Sequence, residues 1–543
     1  MIGTNHRVPR GIVSALTVCG VLLTCVNAFA AGGTCPAGVP SGVTSCFFIS
    51  AAGADTNNGT SESAPWLHAP GMPNCANTCK STTPAGGEGF IFRGGDTWHF
   101  GNSSASPYTG GTWTWLWSGS VGNPIYVGVD QTWYSGGSWA RPILTGDNPL
   151  STSPVSSCTY TSSTFLNAAM EEDHPNYVIF DNFEFTGKCG MADFAVMGCG
   201  TSYSTFTKWY MHGWTYTAAN GAQNAEAIRG NTGGCSPWPQ TNNTFSYLVI
   251  DGSDSPPQSG TGLFGDCYNF EGNIFRHLCN AVVCNNMHLV HDNLFEYVDE
   301  NSDGSGHGNV FESNSESNQI NSFYNNVIRH IGTLAAIGVN VWLYPYSTDY
   351  IFNNLLYDIV AGTNYWDANT GSSTSWYLFN NTFQVGSASR MVFNQNNTPV
   401  MYSYNNHYIT DYGTSESSVF AVTTNLTYSN DIIQSNSTAN GQGYTSSEGY
   451  AYSPASGSAA TVGAGTNKQS YCTALSSAGL SDAATACQSD TRYACTYNSS
   501  NHTVTCPART VVARPSSGAW GVGAYQSASD PPASPTLFPP SVH

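Results

Sequence analysis

The densest group of chemically capable side chains lies between Tyr297 and Asn309, which reads Y-V-D-E-N-S-D-G-S-G-H-G-N. Asp299, Glu300, Asp303 and His307 fall within nine residues there, among Gly and Ser. Cleavage of glycosidic bonds asks for such groupings. Hydrolysis uses two carboxyl groups, one as acid and one as base or nucleophile. Elimination from an acidic sugar uses a base and a cation that neutralises the sugar carboxylate, a task suited to Ca2+ held by Asp and Glu oxygens. Asp299, Glu300 and Asp303 are therefore candidate catalytic carboxylates and candidate Ca2+ ligands, with His307 a proton carrier near neutral pH. The competing account is a solvated turn whose Asp and Asn side chains bond their own backbone. No other cofactor is indicated, since phosphate-loop, Ser-His-Asp, nicotinamide and haem signatures are missing from the sequence.

Thinner candidates lie elsewhere. Arg229, in Glu226-Ala-Ile-Arg229, sits on an alternating stretch and is a candidate catalytic partner for an anionic group. Lys188 is one of only four lysines, so a lysine base has few options. Trp342, Tyr344 and Trp366, read as loop residues, are candidates for a sugar-binding platform. Trp113, Trp115 and Trp117 alternate onto one strand face, where core packing competes with sugar stacking.

These residues must be positioned by a repeat. Ser322–Ile331 reads S-F-Y-N-N-V-I-R-H-I, and Y-I-F-N-N-L-L-Y (Tyr350–Tyr357), Y-L-F-N-N-T-F (Tyr377–Phe383) and Y-S-Y-N-N-H-Y (Tyr402–Tyr408) repeat the pattern. With the second Asn as marker (Asn293, Asn326, Asn354, Asn381, Asn406, then Asp431) the steps are 33, 28, 27, 25 and 25 residues. Period-2 strands broken by Asn at this spacing predict a β-solenoid. Asn tolerates the left-handed backbone that a tight corner needs, and stacked corners let its amide bond up and down as a ladder. Three residues past the marker come Arg276, Glu296, Arg329 and Tyr357; four past come His277, Tyr297, His330 and Asp358. The first set is either a charge ladder on the outer face or the lining of a substrate groove, which makes Arg276 and Arg329 candidate substrate contacts.

From about Asp55 to Gln526 the chain resembles the secreted right-handed parallel β-helix proteins of the pectate-lyase-like superfamily. Three features carry the resemblance: the strand–Asn-Asn–strand coils, the opening Asp55-Thr-Asn-Asn-Gly-Thr60 with Pro65-Trp66, and the closing Arg514-Pro515 with Trp520-Gly-Val-Gly-Ala-Tyr525. It implies an all-β chain: a right-handed single-stranded parallel β-helix with Asn ladders, an N-terminal cap and a cysteine-containing C-terminal cap. Gly306-His307-Gly308 is similar to the Gly-His-Gly of polygalacturonases. Their Asn-Thr-Asp, Asp-Asp and Arg-Ile-Lys motifs, and the paired arginines of pectate lyases, have no counterpart here. The fold hosts lyases, hydrolases, isomerases and adhesins, so the resemblance speaks for architecture more than for reaction.

Composition bounds the rest. Only 9% of the 543 residues are charged, with 34 carboxylates against 15 Lys plus Arg. That balance excludes nucleic acid as a partner and leaves a polysaccharide, an acidic one only with a bridging cation. Arg7 and Arg10, the apolar run Gly11–Val26 and Ala28-Phe29-Ala30 have a signal-peptide layout, so residues 1–30 are expected to be removed and the protein exported. No later run is long enough to span a bilayer, and a monomer is expected. The 15 cysteines beyond Cys19 and Cys25 are read as disulfides, with Cys35/Cys46, Cys75/Cys79, Cys189/Cys199 and Cys279/Cys284 as local pairs. Cys472, Cys487, Cys495 and Cys506 form a late set, and the odd count leaves one thiol over.

The expected organisation is an opening and cap region at 31–125, with a short helix within 61–72, and coils at 126–433. A C-terminal cap at 434–526 ends in a strand Trp520–Tyr525, and 527–543 is a Pro-rich tail. Two functions fit: a polysaccharide lyase or glycoside hydrolase, and a non-catalytic, adhesin-like glycan-binding protein. The clustered titratable groups favour the enzyme, and the incomplete motifs favour the binder.

Overall fold

The computed structural model describes residues 32–150, 155–161, 164–167, 175–189, 193–215, 217, 226–230, 240–252, 260–298, 308–313, 319–331, 341–343, 347–359, 366–368, 375–386, 392–394, 400–421 and 424–527. The Asn pairs bend the chain as the repeat predicts, and the two members divide the work. The first takes the left-handed backbone, with φ of 56–58° at Asn325, Asn353, Asn380 and Asn405. The second turns inward as a ladder. Asn326 Nδ2 donates to Asn354 Oδ1 at 3.1 Å and to Val290 O at 3.0 Å, and the Asn326 N–H donates to Asn354 Oδ1 at 3.0 Å. The same trio recurs at Asn273, Asn293, Asn354 and Asn381. It ends on Asp431, whose Oδ1 accepts from the Asn406 N–H at 2.7 Å and from Nδ2 at 3.2 Å. A carboxylate only accepts, which suits the last rung.

Each full coil carries three strands, and successive coils pair in parallel to build three columns. Thr348–Phe352 belongs to the first, Leu355–Ile359 to the second and Trp366–Ala368 to the third, before Ser375–Phe379 rejoins the first. The protein is a parallel β-helix. Its interior is filled by one apolar residue type stacked above the next, such as Phe383 on Tyr408 with ring centroids 5.1 Å apart. That distance matches the ~4.8 Å step between paired strands, so stacking is a consequence of the backbone register.

Several expectations shift. The coils begin before Tyr126: Ser45–Ile49 already pairs with Glu88–Gly94, and Thr97–His99 with Ile143–Thr145. The short helix is Asn77–Ser81 rather than within 61–72, and the end of the solenoid is closed by Trp66, stacked 4.7 Å from Phe47. Trp113 and Trp115 are fully buried, so that strand face is core. Trp520–Tyr525 forms no strand; its Gly carbonyls at 521 and 523 instead accept from Asn380 Nδ2 at 2.7 and 3.2 Å.

That contact belongs to a larger arrangement. The C-terminal region lies along the flank of the coils, astride the Asn corner. Helices Gln469–Ser477 and Ser481–Cys487 pack with Trp520 on outward aromatics of the first column, Tyr324, Phe352 and Phe379. Tyr444, Tyr452 and Tyr525 pack on the second column, against Leu355 and Tyr357. The outward first Asn of each corner supplies the clamps: Arg514 Nη2 donates to Asn353 Oδ1 at 2.6 Å, and Asn405 Nδ2 to Thr466 O at 2.8 Å.

Disulfides join Cys35–Cys46, Cys75–Cys79, Cys472–Cys487 and Cys495–Cys506. Two local pairings are corrected. Cys189 bonds Cys158, while Cys199 sits in a disulfide of its own, and Cys284 bonds Cys267 rather than Cys279. The Cys267–Cys284 bond joins two paired strands of neighbouring coils, Cα atoms 5.7 Å apart, and Cys158 reaches Cys189 from a connecting segment at 5.6 Å. Cys279 is buried, and its Sγ donates to Gly260 O.

Candidate functional site

The third column presents one outward row, and register defines it. Val196 pairs with Arg229, Arg229 with Phe264, Phe264 with Val283, Val283 with Glu312, Glu312 with Trp342, and Trp342 with Asp367. Val196, Arg229, Phe264, Val283 and Glu312 are each half-buried between buried neighbours, as alternation on a half-exposed strand requires. In the other register, Ile228, Leu263, Val282 and Phe311 are all buried, and Trp366 continues their line of backbone pairing through Val341. Trp342 and Trp366 thus lie on strands, not loops.

At the start of the row four ionisable groups meet. Arg229 Nε donates to Glu226 Oε2 at 2.7 Å and Nη2 to Oε1 at 3.2 Å, and Nε lies 3.7 Å from Asp193 Oδ2. Lys188 Nζ donates to Glu226 O at 2.5 Å and stands 5.5 Å from the Phe194 ring centre. Lys188 is 1% exposed and Asp193 4%, whereas the Arg229 side chain keeps 39% of its surface. Burial pulls the Lys188 ammonium down to about 8, opposed by Asp193 and Glu226. Burial likewise lifts the Asp193 carboxyl to about 6, against the pull of Lys188 and Arg229. An acid and a base displaced toward each other beside a partly exposed arginine make this a candidate functional site. Sequence reasoning named Arg229 and Lys188 but missed Asp193, Glu226 and Glu312; the in-out alternation of D-F-A-V-M, E-A-I-R-G and F-E-S was the available signal.

Asp299, Glu300, Asp303, His307 and Tyr344 lie outside the described residues, and with them the candidate Ca2+ ligands. The segment holding the first four joins Leu294–Val298 of the second column to Phe311–Ser313 of the third. It returns at Asn309, whose Nδ2 donates to Glu312 Oε2 at 2.8 Å. Among the described residues no group of three or more His, Cys, Asp or Glu is placed to hold a metal ion.

The second column carries the other predicted row, and it is a ladder. Arg276 Nε lies 3.4 Å from Glu296 Oε1, and Arg329 Nε donates to Glu296 Oε2 at 2.9 Å. Arg329 Nη1 donates to Tyr357 OH at 3.1 Å, which lies 3.0 Å from Tyr493 OH of the C-terminal region. One residue on, His277, Tyr297 and His330 stack at 5.0 and 5.1 Å with φ of 53–55°. His277 Nδ1 pairs with Asp251 Oδ1 and His330 Nδ1 with Asp358 Oδ2, both at 2.6 Å.

No protein-family model matches this chain, and no curated protein matches it. Among solved structures, the pectate lyase Pel9A is similar at 15% identity over 90% of this chain and 98% of its own, with a TM-score of 0.42. The GH136 lacto-N-biosidase from Eubacterium ramulus shares 11% identity over 72% of this chain and 68% of its own, with a TM-score of 0.39. A rhamnogalacturonan lyase shares 12% over 71% and 87%, with a TM-score of 0.36.

Proposed function

We propose that this chain is an exported enzyme that cleaves a polysaccharide laid along the outward row of the third column. The observation that carries the reading is the knot of Lys188, Asp193, Glu226 and Arg229, in which burial moves a carboxyl and an amine toward neutrality beneath a partly exposed guanidinium. Glu226 holds the Arg229 fork in place, so its remaining donors are preorganised for acceptor oxygens on the glycan. Asp193 and Lys188 act as positioning residues beneath it, their charges setting the field at the arginine. Asp299, Glu300, Asp303 and His307, on a connection between the second and third columns, are the proposed source of the acid and base. Glu312 and Trp342 share the row and extend it as a binding track.

The test is a panel of neutral and acidic polysaccharides incubated with purified protein, with and without Ca2+, read by reducing ends and by absorbance of unsaturated uronates. New ends with absorbance identify a lyase; ends without it identify a hydrolase. Asp303→Ala, His307→Ala and Arg229→Ala should each abolish the release. Silence across the panel would overturn the enzyme in favour of the non-catalytic glycan binder.

A further inference from the structure

The second column and the C-terminal region line a half-open cavity of about 250 Å3. Its floor is Arg276, Glu296 and Arg329 with Leu294 and Val327, and its walls are Tyr493, Thr496, Tyr497 and Ser499. The volume holds roughly eight waters, the scale of a single ring with its hydroxyls. The cavity is on a different column from the row proposed for cleavage.

Its arginines are not equivalent. Arg329 is spent, bonded to Glu296 and to Tyr357 OH. Arg276 is not: its Nε is buried and makes no hydrogen bond among the described residues, although Asp251 and Glu296 lie 3.6 and 3.4 Å away. The Tyr497 and Tyr297 rings flank its guanidinium at 5.2 and 5.7 Å and hold it in place. A guanidinium carries five N–H donors, so a fixed one without hydrogen bonds calls for an oxygen-rich ligand.

Charge decides which oxygens. Arg276 and Arg329 face Glu296 and Asp251, the latter already hydrogen-bonded to His277 Nδ1. Two cations against two carboxylates leave no surplus to hold an anion, and the chain as a whole carries −19. What remains is a set of donors on Arg276, Glu296 Oε1 as an acceptor, and the Ser499 hydroxyl beside aromatic walls, with the Thr496 hydroxyl, which donates to Thr505 O, able to accept. Neighbouring donors and acceptors match the vicinal hydroxyls of a sugar, and ring faces match its C–H surface.

We infer that this cavity is a binding site for one neutral monosaccharide unit, separate from the cleavage row. The experiment is ligand-observed NMR and calorimetry on the whole protein with neutral hexoses and pentoses, the matching uronic acids, and acetate. At least one neutral sugar should bind with Kd on the order of millimolar, as fits a ligand of about a dozen heavy atoms with few polar anchors. Arg276→Gln should weaken it at least tenfold. So should Ser499→Trp, which fills the cavity from the exposed hairpin side and leaves the urea midpoint unchanged. No neutral sugar bound at about 50 mM, binding of uronates or acetate only, or binding untouched by Ser499→Trp would each overturn the inference. Polysaccharide cleavage, if found, should survive Ser499→Trp, and its absence leaves the sugar titration readable on its own.

Discussion

Two charged rows run along this solenoid, built from the same residue types, and they end in different states. On the second column Arg276, Glu296 and Arg329 come from three successive coils and are roofed by the segment Tyr493–Ser499. On the third, Arg229 is held by a carboxylate three residues away in its own strand, above a buried lysine and a buried aspartate. The Glu296 ladder pairs opposite charges between coils. The Asp193 knot mixes groups that burial has pushed toward neutrality. A shared charge ladder stabilises a stack of coils; the buried acid and base beneath an accessible guanidinium are proposed to position that guanidinium for a glycan. Coverage by the C-terminal region, more than residue type, separates the two.

The largest expected effect tests that division directly. Arg229→Ala should lower glycan turnover per folded molecule at least 100-fold, about 3 kcal/mol of transition-state stabilisation, with a smaller loss of stability because the Glu226 carboxylate loses its partner. Equal losses of stability and turnover would mean the knot is structural. Next, Glu296→Ala should cost about 3 kcal/mol in urea unfolding, since it leaves two arginines facing each other without their shared carboxylate. Turnover per folded molecule should hold; a selective loss of turnover would move the active face to the second column.

Two carboxylates with raised pKa values sharpen the contrast. Asp193 is lifted to about 6 and Asp431, enclosed at the end of the Asn ladder, to about 7, both mainly by burial. A raised folded pKa means the protonated form is favoured on folding. Each group's contribution is therefore complete below the ordinary value near 3.8 and is lost as pH rises through the folded pKa. Asp431→Asn should raise stability at pH 8 by on the order of 2 kcal/mol, allowing for its remaining exposure, and by almost nothing at pH 3.5, with turnover unchanged. Asp193→Asn should show the same sign of stability change with a flattened pH–rate profile near pH 6. An unchanged profile would remove Asp193 from the site. The smallest effect belongs to the exposed pair His330–Asp358: Asp358→Asn should shift stability by less than about 0.5 kcal/mol at either pH, by thermal melts.

The sequence by itself determined the coil. An Asn corner is a local device, whose backbone preference and amide geometry act within a few residues, and repetition made Asn293 through Asn406 legible as a ladder. Alternation likewise held Arg276, Glu296 and Arg329 at equal offsets from that corner, so their stacking could be read before any coordinates. The tertiary structure decided the rest. Coil lengths vary through their loops, so only the assembled register shows that Asp193 meets Glu226 and Arg229, or that Trp342 pairs with Glu312 and Trp366 with Val341. Cys267–Cys284 crosses between coils for the same reason. The C-terminal region was least legible: Arg514 reaches Asn353 across 161 residues, a contact that no local preference encodes. It forms because the outward amides of the corners and the apolar outer faces of two columns need a cover, and only the folded solenoid creates that surface.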